Sequence, residues 1–245
     1  DEEGMLIDEL EDKLKKYSPK LIYTIPNFQN PTGRTASLER RRKYLELAEK
    51  YNAVIVEDDP YGLLRYEGEA VPSIKSLDET GRVIYVTSFS KVISPGLRVG
   101  AAVAAPTVLR KMIIGKQATD VHTNSLSQAI VDRFLRQGYM PEQLKKSNKI
   151  HGERKNKMQE MLDKYFPNDD AEAKVVLSTN GKSCRMEITV SSNGRQFRTE
   201  VDGNTMYYAI DDALPKLERQ ILKHKGKLTD KAGAAPEFGE FAFVT

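Results

Sequence analysis

Apolar residues along the first part of the chain follow two rhythms. Leu6, Leu10 and Leu14 recur at every fourth position, which predicts an amphipathic helix over about residues 5–16. KLIYTIP (20–26) is instead a continuous apolar, β-rich run stopped by a proline, the pattern of a buried strand. The same texture returns in AVIVED (53–58), RVIYVTSFSK (82–91) and RVGAAVAA (98–105). NPTGR (30–34) carries turn chemistry, and Ser37 stands where the N-cap of a helix SLERRRKYLELAEKY is needed. Further helices are predicted at about 106–117, 124–137 and 141–165. The strand runs are too uniformly apolar to alternate, so they are expected to be buried on both faces of a mainly parallel sheet in an α/β fold.

After Pro167 the rhythm changes. AEAKVVLSTNG, KSCRMEITVSSNG and RQFRTEV are shorter segments punctuated by Asn-Gly, a strong hairpin signal. Arg185, Glu187 and Thr189 alternate with Met186, Ile188 and Val190, which predicts a half-exposed antiparallel sheet. A long helix is predicted over about 205–225, with Met206, Ile210, Ala213, Leu217 and Ile221 along one face. Pro215 should kink it. The tail from 229 to 245 reads as a flexible linker in which Phe238, Phe241 and Phe243 are candidates for docking. The expected organisation is therefore an α/β part over 1–160, a small α+β module over 161–228 and the tail.

Composition narrows the class without choosing a function. Apolar residues at 39% and charged residues at 30% of 245 describe a globular protein. A net charge of +3 gives no argument for a nucleic-acid partner. One cysteine, Cys184, fits a reducing, cytoplasmic setting, and three scattered histidines make no metal site. No apolar run reaches the roughly 20 residues that span a bilayer. The acidic, helix-like start without an initiator Met reads as the middle of a longer sequence.

Candidate chemistry collects at the ends of the predicted strands, where ligands bind in open α/β sheets. Asn30 lies just past the first strand, Asp58 ends the second, and Lys91 follows the third, flanked by Ser88, Ser90 and Arg98. A lysine can form a Schiff base with an aldehyde cofactor and later act as a base. A carboxylate keeps a pyridine nitrogen protonated, so that the ring accepts electrons. Hydroxyls and an arginine fork recognise a phosphate. Singly, each has a plainer reading as a solvated lysine, a turn-forming Asp or a surface serine. The combination is what points to chemistry.

NPTG (30–33), EDDPYGLLRY (57–66) and SFSKVISPGLRVG (88–100) resemble the motifs of class I, fold-type I aminotransferases, in the 2-aminoadipate and kynurenine branch. The spacings agree: 28 residues from Asn30 to Asp58, 33 from Asp58 to Lys91 and seven from Lys91 to Arg98. The resemblance extends through KQATDVHTNSLSQAI (116–130) and the helix after it. It implies pyridoxal 5′-phosphate (PLP) as cofactor and amino transfer between an amino acid and a 2-oxo acid. It also implies Lys91 as the catalytic, cofactor-bonding lysine and Asp58 as partner of the pyridine nitrogen. Asn30 and Tyr61 would then bond the phenolic oxygen, and Ser88, Ser90 and Arg98 the phosphate. Asp59 reads as structural. Family members are homodimers. By the same resemblance this part is an incomplete large domain, truncated at both ends, without the cofactor-stacking ring, the glycine turn and the substrate-carboxylate arginine.

Residues from about 158 to 245 resemble the N-terminal domain of ribosome hibernation promoting factors, the family that includes the ribosome-associated inhibitor. The resemblance rests on LDKYFPNDDAEAKVVLS (162–178), FRTEVDGNTMYYAIDDALPKLERQILKHKGKL (197–228) and the hairpins between. It implies a β-α-β-β-β-α fold and binding to small-subunit ribosomal RNA. Lys216, Arg219, Lys223, Lys225 and Lys227 are the candidate RNA contacts, a basic stripe that can neutralise phosphates; a plain solvated helix face is the other reading. The join falls in MQEMLDKYFP (158–167), as in a chimera. Three functions follow as expectations: an aminotransferase fragment, a ribosome-binding translation inhibitor with an inert N-terminal part, and a composite with neither activity.

Overall fold

The computed structural model describes residues 1–165, 172–180, 183–192, 195–204 and 206–229. The chain divides into two compact units, residues 1–154 and 155–245.

The first unit is built on a four-stranded sheet in the order β1-β2-β3-β4. Strands β1 (Leu21–Thr24), β2 (Val54–Asp58) and β3 (Val83–Ser88) run parallel, and β4 (Gly100–Val103) returns antiparallel to β3. Helix α1 (Ile7–Tyr17) and helix α2 (Leu38–Lys50) supply the apolar cover. Helix α2 starts where a cap was expected: the Ser37 side chain accepts the Arg40 N–H. Register places Ile22, Ile55 and Val83 in one row. That row packs with Leu14, Tyr44, Leu47 and Ala48 in the core.

The expected burial of both sheet faces holds for one face only. On the other, Leu21 is 51% and Tyr23 55% exposed, while Val54 and Val56 are half-buried. The physical reason is which helices pack. The core row meets α1 and α2, whereas helix α3 (Pro106–Asp120) buries no side chain and helix α4 (Ser125–Arg136) buries Val131 alone. Ile113, Ile114, Leu126 and Ile130 are correspondingly exposed. Helix α5 (Met140–Tyr165) follows.

The second unit holds strands β5 (Glu172–Asn180), β6 (Ser183–Ser192) and β7 (Arg195–Gly203), antiparallel in that order, and helix α6 (Met206–Thr229). Met186, Ile188, Val190 and Val201 turn to the helix and meet Ala209, Ala213, Leu217 and Ile221. Among the described residues this unit has three strands, so the leading strand of a β-α-β-β-β-α order is not among them. Helix α6 continues through Pro215, where the sequence predicts a kink. The buried Ala213 and Leu217 on either side hold it to the sheet. The opposite sheet face carries ion pairs: Arg185 Nε lies 2.8 Å from Asp202, and Arg198 bonds both Glu187, at 2.9 Å, and Glu200.

The basic stripe is weaker than composition implies. Lys216 is engaged by Asp212 at 2.7 Å, and Arg219 Nε donates to the Pro215 carbonyl. Arg219 and Lys223 are exposed. The side chains of Met206, Ile210, Lys225 and Lys227, most of the expected join and the tail with Phe238, Phe241 and Phe243 lie outside the described residues. Among the described residues no helix is long and apolar enough to cross a membrane, and no His, Cys, Asp and Glu cluster could hold a metal ion.

Candidate active site

Three parallel strands end at one edge of the first sheet, and the antiparallel β4 begins there. Asp58 closes β2 and Ser88 closes β3; Asn30 lies in the loop after β1, Tyr61 in the turn after Asp58, Ser90 and Lys91 after β3, and Arg98 just ahead of β4. The residues singled out in the first part of the sequence therefore lie at these strand ends, the rim of the sheet, or in the segments that follow or precede them.

Three of them are bonded into a cup. The Ser88 hydroxyl accepts the Ser90 N–H at 3.2 Å, and Arg98 Nη1 donates to the Ser90 hydroxyl at 3.2 Å and the Pro95 carbonyl at 3.3 Å. Arg98 has a left-handed backbone, φ 55°, as the cap of a short 3-10 turn over Pro95–Leu97. A guanidinium and two hydroxyls in one place are groups that can recognise an anion.

Asp58 accepts a hydrogen bond from the Tyr23 hydroxyl at 2.6 Å. That bond to Asp58, then partial burial, pushes the Tyr23 phenol up to about 12, and the nearby Tyr61 adds to the effect. Lys91 is exposed, and its Nζ has no hydrogen-bond or ion-pair partner among the described residues. Asn30 is exposed in the loop after β1: its carbonyl accepts from Gln29 Nε2 at 2.7 Å, and its peptide bond to Pro31 is cis. The structure thus bonds Ser88, Ser90 and Arg98 together and brings Tyr61 near the Tyr23–Asp58 pair. Asn30, in the loop after β1, and Lys91, after β3, are not bonded to the others.

A buried polar network lies behind this rim. Asn27 Nδ2 donates to Asp59 Oδ1 at 3.0 Å, the Gly62 N–H donates to the same oxygen at 2.9 Å, and the Tyr85 hydroxyl takes Oδ2 at 3.2 Å. A Cβ on Gly62 would lie 2.6 Å from both Asp59 oxygens, so the turn into Tyr61 requires glycine. Arg41, fully buried, donates to Asn27 Oδ1 at 2.7 Å and to the carbonyls of Pro26, Ala36 and Pro72. Glu57 is buried too. Burial pushes its carboxyl above the ordinary range, against the pull of the Lys75 and Ile74 N–H groups at 2.7 and 2.8 Å. Sequence reasoning did not find Tyr23, Asn27 or Arg41. Tyr23 carries a signal all the same, a polar-tipped residue in an otherwise aliphatic strand.

The profile described as aminotransferase class I and II matches residues 1–191, past the boundary expected near residue 160 and into β6. Aromatic-amino-acid aminotransferase 1 of Thermococcus litoralis is 44% identical over 172 residues, 68% of this chain and 41% of that protein. The 2-aminoadipate transaminase of Thermus thermophilus is 43% identical over 172 residues, 69% of this chain and 43% of that protein. The crystal structure of Pyrococcus horikoshii kynurenine aminotransferase, in complex with PMP, aligns at a TM-score of 0.65 and 40% identity over 76% of this chain and 47% of that one. The chain spans about two fifths of the length of the curated relatives it matches.

Proposed function

The chain belongs to the class I and II aminotransferases, in the aminoadipate, kynurenine and aromatic branch, and on that premise we propose that it carries the cofactor end of a PLP-dependent transaminase site. The observation that carries the proposal is the shared rim: a free lysine amine, a strand-end carboxylate and a Ser–Ser–Arg anion cup at one sheet edge.

These residue types fit PLP. When bound, the cofactor draws electrons from the substrate's α-carbon. The chain's own groups supply the cofactor end. Ser88, Ser90 and Arg98 hold the phosphate. Asp58 holds the proton on the ring nitrogen, and Asn30 and Tyr61 bond the phenolic oxygen. Lys91 Nζ would be the amine that holds the cofactor covalently, and the same amine would serve as the base for the α-proton. The substrates are an amino acid and a 2-oxo acid, of the aromatic or 2-aminoadipate kind handled by the relatives. We place the protein in the cytoplasm as a homodimer.

Titrating the chain with PLP tests this. A visible band should appear, borohydride should fix the cofactor on the peptide containing Lys91, and Lys91→Ala should abolish both. No band at saturating PLP would sink the proposal.

A second reading concerns residues 161–228 alone: a hibernation-factor-like module that binds the small ribosomal subunit. Three antiparallel strands backed by one helix support it, with Arg219 and Lys223 exposed. The family match through residue 191 and the ion-paired sheet face weigh against it. Co-sedimentation with small subunits across a salt series decides, since phosphate contacts weaken steeply as salt rises. Binding that survives Lys223→Glu unchanged would remove the helix from the interface.

A further inference from the structure

Tyr23 has a place at the rim that its position in an apolar strand conceals. It pairs with Val56 in the β1–β2 register, so it stands on the same sheet face as Asp58, two residues further along β2. A tyrosine side chain spans that diagonal, and the hydroxyl donates to Asp58 Oδ2 at 2.6 Å. Among the described residues no other group bonds the Asp58 side chain, which leaves Oδ1 open. A carboxylate at a strand end rotates freely unless something holds it, and ordering it on binding costs affinity.

We propose that Tyr23 is a positioning residue for the cofactor's pyridine ring: by holding one oxygen of Asp58 it turns the other toward the ring nitrogen. This rests on the cofactor reading above. The bond is charge-assisted and therefore among the stronger kinds. The phenol, pushed up to about 12 chiefly by Asp58, stays a donor across the whole working range. Tyr23 is 55% exposed, so its role is not to fill the core, and replacing it with phenylalanine removes only the hydroxyl.

The test has two arms. In the ligand-free chain, a tyrosinate absorbance titration differenced against Tyr23→Phe isolates one phenol among the 11 tyrosines. It should ionise at about 12 and move toward the ordinary 10.0 in Asp58→Asn. In the second arm, Tyr23→Phe should weaken PLP binding about tenfold when Asp58 is present and have no effect in Asp58→Asn, where no carboxylate is left to hold. A merely structural tyrosine would cost the same in both backgrounds. A phenol titrating near 10 in the unmodified chain, equal losses in both backgrounds, or no loss in either overturns the proposal while leaving the cofactor reading intact. If the unmodified chain takes up no PLP, the cofactor reading fails and this inference falls with it.

Discussion

Replacing Arg41 with methionine measures how much the buried network contributes to holding the rim. The guanidinium reaches Asn27 Oδ1 at 2.7 Å and the carbonyls of Pro72, Ala36 and Pro26 at 2.9, 3.0 and 3.1 Å. These acceptors lie on two separate stretches, the loop that carries Asn30 and the segment around Pro72. Burial pulls the Arg41 pKa down, and the charges of Glu57 and Asp59 push it back, so the charge is held by its surroundings. Methionine keeps the aliphatic stem and loses every donor. One stranded buried acceptor costs about 1–3 kcal/mol, but neighbouring losses do not add. Taking one partner out of a buried charged network costs about 3–5 kcal/mol, which is the loss expected here. That is a large share of a domain's ~5–15 kcal/mol. Arg41→Lys keeps the charge but not the fork, so it should recover part of the loss. The chain has no tryptophan and two units, so one spectroscopic transition would mix them. Hydrogen exchange in peptides covering β1 and β2, measured against urea, reads the first unit directly. A loss below about 1 kcal/mol would show that the network is not what holds these segments.

Two further outcomes test other parts of the packing. Asp78 is held at about 2 against an ordinary 3.8: burial alone would raise it, but Lys75 Nζ at 2.9 Å and the N–H groups of Val83 and Arg82 outweigh that. Because the folded value is depressed, the contribution is full above pH ~4 and is lost as pH falls toward 2, so Asp78→Asn should flatten the acid branch of the stability curve by about 2 kcal/mol; parallel curves would disprove it. In the second unit, Leu217 is 7% exposed between Ala213 and Ile221, and Leu217→Ala should cost about 2–5 kcal/mol by exchange in β6 and β7. A cost under ~1 kcal/mol would mean that α6 is not what covers this sheet.

What the sequence made legible, and what it did not, divides along physical lines. The elements of the first unit were readable because they are local: a β-rich apolar run, a capped helix and a four-residue leucine period each depend on near neighbours. The placement of Asp58, Lys91 and the Ser88, Ser90 and Arg98 set at the strand ends was readable because each follows directly on an apolar run. Coverage was not readable. A run such as KLIYTIP shows that a strand tolerates burial on both sides, not that both sides are covered, and Leu21 at 51% exposure marks the difference. Nor were the partners of Tyr23, Asn27 and Arg41, because each depends on a register or loop path that brings distant residues together. The pairing of Lys216 with Asp212 was within reach, since residues four apart on a helix are neighbours.

The adjacent acids Asp58 and Asp59 show how that limit shapes the site. Successive residues on a strand point to opposite faces, so two neighbouring carboxylates cannot share one task. The Asp59 N–H continues the ladder to the Val86 carbonyl at 2.8 Å, which keeps the pleat going past the end of β2. Asp58 is thereby delivered to the less covered face, where it meets Tyr23 and stays half-buried. Asp59 is delivered to the other, where Asn27, Gly62 and Tyr85 satisfy it and Arg41 ties Asn27 to the segment around Pro72. One acid keeps an oxygen without a partner among the described residues, while the other spends both oxygens on the scaffold. An insertion of one residue after Glu57 would turn Asp58 to the face of Asn27 and Tyr85 and Asp59 to the face of Tyr23, leaving neither acid at its present place. The polar network and the rim are therefore two sides of a single strand end.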